Sequence, residues 1–206
     1  MMSQYSLSYR QAEDYSAENY FVSASNEEAY RLMERWPDWG AAYGLYVYGE
    51  EGSGKTHLAE LWRRKTDGDP KHVVIDGLEQ QVENEAMLFH QLNNIQQQGG
   101  TVFCTARTLP MDIGFKTRDV QSRLMGMLQV KIQAPDEALL AMLLTKHFAD
   151  RQLKVAPEVI DYAVPRMERS YRMANRLIEA LDNYALENRR EITIPLVREV
   201  MSGMMK

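Results

Sequence analysis

The segment Gly49-Glu50-Glu51-Gly52-Ser53-Gly54-Lys55-Thr56 meets the spacing G-x-x-x-x-G-K-[S/T], and each residue type in it has a physical task. Glycines let the backbone turn so that successive N–H groups point inward at phosphate oxygens. The helix expected from about Lys55 begins at those phosphates, where its dipole favours an anion. Lys55 is expected to reach the β- and γ-phosphates, and Thr56 to ligate Mg²⁺. Gly49, Gly52, Ser53, Gly54 and His57 complete the expected contacts. The spacing therefore predicts an adenine nucleotide, ADP or ATP, held with Mg²⁺.

Few other residues are candidates for chemistry. Asp76 closes the apolar run Val73 to Ile75, the place where a phosphate-loop protein puts the carboxylate that holds Mg²⁺ through water. The alternative is a turn-forming Asp before Gly77, since Asp-Gly is a common turn pair. Gly77 also stands where an adjacent acid often polarises the attacking water, and Glu79 is the nearest substitute, two places later. Arg123 lies in Gln121-Ser122-Arg123-Leu124, and Arg172 follows Ser170, a plausible helix N-cap. A cation in a first helical turn is on the wrong end of the dipole, so Arg172 either meets an anion or is a solvated surface arginine. Cys104 sits in the apolar run from Thr101 to Thr105 and reads as a core thiol rather than a nucleophile.

The elements that must position these groups follow from pattern. A polar, aromatic segment of about 20 residues opens the chain and reads as a tail or loosely docked arm. Asn26 is expected to cap a short helix that Pro37 stops. Apolar strands are expected at Leu45 to Tyr48, Val73 to Ile75, Val102 to Thr105 and Leu128 to Ile132. Between the second and third, Asn84 is expected to cap a helix with the stripe Met87, Leu88, Leu92 and Ile95. Alternating strands and helices imply a parallel sheet covered on both faces. After Pro135 only helical patterns remain: Asp136 to Arg151, Pro157 to Met167, Ser170 to Arg189 and Thr193 to Met201. The expected organisation is therefore a tail over 1–20, an α/β base over 21–134 and a helical unit over 135–206.

Composition narrows the setting. Twenty-four Lys/Arg against 29 Asp/Glu give a net charge of −5, which disfavours duplex DNA as a direct partner because nonspecific binding needs clustered cations. One cysteine permits no internal disulfide and suits a reducing cytosol. No run is apolar for the ~18 residues of a membrane span, and no basic-then-apolar leader pattern opens the chain. The expected location is cytoplasmic.

Taken in order, Asn19 to Tyr30 (NYFVSASNEEAY), RWPDW, the phosphate loop, LFHQLN, CTARTLP, DVQSRL, KHFADRQL, RMERS and ITIPLVREVM resemble the AAA+ module of the bacterial initiator DnaA and, within that group, its Hda-type relatives. The resemblance covers nearly the whole chain. It implies an AAA+ base with a short parallel sheet, one edge strand short because only residues 57–75 separate Thr56 from Asp76, and a C-terminal all-helical lid. The alternative is that Val73 to Ile75 is that edge strand, which would leave Asp76 without a Mg²⁺ role.

The resemblance also implies roles. Arg123 matches an arginine finger acting on a neighbouring subunit's nucleotide. Arg172 matches the lid arginine that contacts nucleotide within its own chain. Phe21, Val22 and Asn26 match the segment bordering adenine. Gln4, Leu7 and Tyr9 match a short peptide that holds the replicative sliding clamp by one amide and two apolar plugs. The implied partners are DnaA and the clamp, without sequence-specific DNA contact, and with room for a homo-oligomer. Arg107 stands where DnaA has an acidic sensor, and with Gly77 this implies little hydrolysis by the isolated chain. The implied activity is stimulation of hydrolysis of DnaA-bound ATP. Its rivals are a free-standing P-loop ATPase that loads or chaperones a protein, and a nucleotide-bound structural clamp adaptor.

Overall fold

The computed structural model describes residues 15–188 and 191–204 of the 206-residue chain. Its centre is a parallel sheet of β1 (Gly44–Tyr48), β2 (His72–Ile75), β3 (Thr101–Ala106) and β4 (Leu128–Lys131) in the order β2-β3-β1-β4. Side chains alternate across it with the strand period of two. Leu45, Val47, Phe103 and Val130 face one side; Tyr46, Val102, Cys104 and Ala106 face the other. The helices α1 (Glu27–Glu34) and α2 (Lys55–Lys65) cover the first face. The second face is covered by α3 (Glu85–Gln97) and α4 (Arg118–Met125). The sheet is thus buried on both sides, as the continuous apolar strands required.

Local sequence explains the main elements. The helix α2 starts after Gly54 in the left-handed region, buries Leu58, Ala59 and Trp62, and ends on Arg63, Arg64 and Lys65, whose charges suit its C-terminus. Trp62 is fully buried and stacks on Trp39 at 5.9 Å between ring centroids. Truncating such a side chain costs about 3–5 kcal/mol. The chain passes from α2 directly to β2, and no strand lies outside β2 among the described residues.

The helices α5 (Glu137–Asp150), α6 (Pro157–Ala163), α7 (Tyr171–Asn188) and α8 (Ile194–Met204) share a separate core that includes Leu144, Phe148, Leu177, Leu181 and Val197. Asp136 caps α5 by accepting from the Leu139 N–H at 2.7 Å. Ser170 caps α7 by accepting from the Met173 N–H at 3.1 Å, as its position suggested. Two residues, Leu139 and Tyr171, belong instead to the core of the sheet's first face and so seat the helical unit on the base.

Several expectations need correction. Asn26 makes no side-chain cap bond; its Oδ1 accepts from the Ser23 N–H and its Nδ2 donates to the Phe21 carbonyl, each at 2.8 Å. Asn84 does not cap α3 either, because a 3₁₀ segment, Leu78–Asn84, leads straight into the helix. Met87 is 69% exposed and lies off the apolar stripe of Leu88, Leu92 and Ile95. The helix from Pro157 ends at Ala163 and continues as a 3₁₀ turn, Val164–Arg166. Residues 15–20 are not loosely docked: Tyr20 is buried and a 3₁₀ turn spans Ala17–Asn19.

Candidate nucleotide site

The phosphate loop leaves β1 at Tyr48 and enters α2 at Lys55. Gly52 and Gly54 have φ of +81° and +85°, values that L side chains rarely adopt. Each also sits under a neighbour. A Cβ at Gly52 would come 3.0 Å from Asn175 Nδ2, and one at Gly54 would come 3.3 Å from Tyr20. Lys55 folds over the loop, its Nζ donating to the carbonyls of Gly49 (2.9 Å) and Glu50 (2.6 Å) and to Ser53 Oγ (3.2 Å). Burial holds the Lys55 pKa below the usual lysine value, against the opposing pull of the Glu79 and Asp76 carboxylates. An ammonium in that state is short of anionic partners, which phosphate oxygens supply.

The sheet register brings Asp76 to this loop. β2 pairs with β3, with Ile75 opposite Cys104, and β3 pairs with β1, with Ala106 opposite Tyr48. Asp76 therefore leaves the sheet two strands from the phosphate loop, at the same edge. Its Oδ2 accepts from the Thr56 hydroxyl at 2.9 Å, and its Oδ1 accepts from the Thr105 hydroxyl. Thr105 in turn accepts from the Gly77 N–H at 2.9 Å. A hydroxyl and a carboxylate oxygen side by side fit Mg²⁺, which takes one or two protein oxygens and completes its shell with water and phosphate. Glu79 is engaged elsewhere, accepting from the Arg107 N–H.

The flank of the site is aromatic. Tyr20 stacks on Tyr30 at 5.7 Å and meets the edge of His57 at 5.2 Å, while Tyr15 meets His57 at 5.4 Å. His57 Nε2 lies 2.8 Å from the Ser16 carbonyl, so its ring is turned to the arm. The bonds of Asn26 hold the loop that carries Phe21 and the exposed Val22. Lys146 of α5 lies over the Phe21 ring at 5.9 Å.

The lid closes the other flank. Tyr171 approaches Ser25 Oγ with its hydroxyl at 3.5 Å, and Tyr171 and Asn175 are the side chains nearest Gly52. This contact brings the next residue, Arg172, to a cleft of about 470 Å³ lined by Glu50, Glu51, Arg107, Arg169 and Arg172. A larger cavity of about 820 Å³ opens inside the lid beside Phe148, Val159 and Ile192. No phosphate-loop residue borders it, whereas Glu50 and Glu51 of the loop border the smaller cleft.

Arg123 is not part of this constellation. It lies in the last turn of α4. Its guanidinium donates to Gln96 Oε1 at the end of α3, and its carbonyl accepts from the Tyr43 hydroxyl at 2.9 Å. Tyr43 precedes β1 and the phosphate loop follows it, so five residues of strand intervene, about 16 Å at ~3.3 Å per residue. Gln4, Leu7 and Tyr9 lie outside the described residues. Sequence reasoning missed Thr105, Tyr20 and Tyr171. A hydroxyl one residue before the end of the third strand was the local signal for the first; the other two act through contacts distant in sequence.

A family model described as "Hda, lid domain" matches residues 136–201. The chromosomal replication initiator DnaA of Leifsonia xyli subsp. xyli is 22% identical over 92% of this chain and 49% of its own length, so the chain spans about half of that relative. Domain III of Thermotoga maritima DnaA superposes with a TM-score of 0.76 at 19% identity, covering 95% of this chain and 98% of that one. DnaA from Aquifex aeolicus, solved with AMPPCP bound, superposes with a TM-score of 0.66 at 18% identity, over 84% of this chain and 66% of that one. The four-stranded parallel sheet with its helical C-terminal unit is thus an AAA+ fold. With the lid match, the chain is similar to DnaA-related AAA+ proteins over its length and to Hda over its helical C-terminal unit.

Proposed function

We propose that this protein is a negative regulator of replication initiation that holds an adenine nucleotide with Mg²⁺ and stimulates hydrolysis of ATP bound to DnaA. It works in the cytoplasm as a tail over 1–20, a base over 21–134 and a lid over 135–206. Gly49 through His57 cradle the phosphates, with Lys55 on the β- and γ-phosphates. Phe21, Val22 and Asn26 border the base, and Arg172 reaches in from the lid. Thr56 and Asp76 hold the metal, which supplies charge neutralisation of the phosphates when bound. Gln4, Leu7 and Tyr9 hold the sliding clamp.

The observation that carries this reading is the position of Arg123. Its guanidinium is held at the sheet edge opposite the chain's own phosphate loop, beyond reach of its own nucleotide. Presented to a neighbour, a permanently charged planar donor stabilises charge on a transferring phosphoryl group, an effect worth ~10³ to 10⁵ in rate. The remaining geometry suits a weak hydrolase. Gly77 offers no side chain to orient water, and Glu79 is committed to the Arg107 backbone.

The deciding experiment measures ATP hydrolysis by the protein alone, with DnaA, and with DnaA plus clamp on DNA. Slow turnover alone and fast turnover only in the full mixture support the regulator. Brisk turnover alone would favour a free-standing ATPase, and no stimulation in any mixture would leave a structural adaptor. Replacing Gln4 and Leu7 with Ala is expected to abolish clamp capture while nucleotide affinity stays at the wild-type value.

A further inference from the structure

We propose that Gln96 is a positioning residue for Arg123, a neutral acceptor that aims the guanidinium without cancelling its charge. The proposal rests on the reading above, in which Arg123 acts on another protein's nucleotide, and adds a residue from a different helix. Arg123 lies in the last turn of α4 and Gln96 in the last turn of α3. Among the described residues no carboxylate lies within ion-pair distance of Arg123. Its Nη1 donates instead to Gln96 Oε1. Arg107, Arg151 and Arg169, by contrast, are each paired with a Glu or an Asp. A guanidinium has several N–H donors in a planar fork, so one amide bond can fix its direction and leave other donors for an anion outside. A carboxylate in the same place would hold the head more tightly and offset its positive field.

Both anchors of the arginine are set by the sheet. Its carbonyl accepts from the Tyr43 hydroxyl at 2.9 Å, and the Tyr43 carbonyl accepts from the Val102 N–H at 3.0 Å. Tyr43 is thereby tied to β3 one residue before β1 begins. On the other side, α3 closes where Gly99 and Gly100 turn the chain into β3. The Gly99 N–H donates to the Gln96 carbonyl at 3.2 Å, and the Gly100 N–H to the Ile95 carbonyl at 2.9 Å. A Cβ at Gly100 would collide with the Lys71 carbonyl, so glycine is required for the end of α3 to sit this close to the sheet. Gln96 is exposed and Arg123 half-buried. The amide fills no core position, and its contribution is the direction it gives to Arg123.

The test is single-turnover hydrolysis of DnaA-bound ATP with clamp and DNA present. The full chain is titrated in, so that the maximal stimulated rate and the half-maximal concentration are read separately. Gln96→Ala is expected to lower the maximal rate about tenfold, the scale of one charge-assisted hydrogen bond. The half-maximal concentration should stay within about twofold, and the melting temperature should not change. Gln96→Glu keeps the shape and adds a charge. It is expected to lower the maximal rate at least as far at low salt, and to recover toward wild type at matched ionic strength as salt screens the new ion pair. A wild-type maximal rate in Gln96→Ala, a change confined to the half-maximal concentration, or a wild-type rate in Gln96→Glu at low salt overturns the proposal. Arg123→Ala separates this failure from a deeper one. If it loses stimulation while Gln96→Ala keeps it, the arginine reading stands and Gln96 is a surface contact. If Arg123→Ala is itself silent, the arginine reading fails and this proposal with it.

Discussion

The two edges of the sheet do opposite things with the same strands. At the C-terminal edge the chain is glycine-rich and left-handed at Gly52, Gly54 and Gly77, and polar groups converge: Lys55 on loop carbonyls, Thr56 and Thr105 on Asp76. At the N-terminal edge the contacts on the strands themselves are aromatic. Trp36 Nε1 donates to Thr101 Oγ1 at 3.0 Å, and His72 Nδ1 lies 2.7 Å from the same oxygen. Arg123 lies toward that edge, and it rests on an uncharged glutamine. One edge gathers groups suited to an anion, while the other carries Arg123 on a neutral partner, where the proposed function has it face a neighbour. The separation means that a change at one edge should be silent at the other, and this can be broken by substitution.

The largest effect is expected from Lys55→Ala. It should weaken ADP and ATP at least about a hundredfold, because it removes a charged donor from the phosphates. Thermal stability should not fall, since burial already disfavours the charged lysine. A matching loss of melting temperature would mean that the lysine is structural. Arg172→Ala should weaken nucleotide by about tenfold, one charge-assisted contact, and should leave the lid core intact because the side chain is exposed. Calorimetry on both variants separates a lid that closes on nucleotide from one that merely rests on the base. Thr105→Val should have the smallest effect. It frees one Asp76 oxygen and leaves the Gly77 N–H without its acceptor, costing about 1 kcal/mol in a denaturant titration. It should also lower the Mg²⁺ sensitivity of nucleotide binding. Unchanged Mg²⁺ dependence would remove Asp76 from the metal site.

The phosphate loop was legible in the sequence because its chemistry is local: positive φ demands glycine, and lysine and threonine follow at fixed offsets. The first three strands were legible because each is a short, largely apolar run, the fourth because Leu128, Val130 and Ile132 alternate, and the cap Ser170 because it bonds within its own first turn. What escaped depends on distant partners. The helix α4 buries only Val120 and Leu124, too few apolar positions to announce a period. Asn26 looked like a cap, but its amide is taken by Ser23 and Phe21. The docking of Tyr15 and Tyr20 on His57 and the clasp of Asp76 by Thr105, 29 residues away, exist only once the sheet has assembled.

The central claim is that Arg123 serves another protein's nucleotide. The most direct measurement is single-turnover hydrolysis of DnaA-bound ATP, with clamp and DNA present, comparing wild type with Arg123→Ala. The account predicts loss of the stimulated rate by at least about 10³-fold, with this chain's own nucleotide affinity and clamp capture unchanged. Arg123→Lys should rescue little, because a point charge lacks the planar fork. A stimulated rate equal to wild type in Arg123→Ala would contradict the claim and reduce Arg123 to the partner of Gln96.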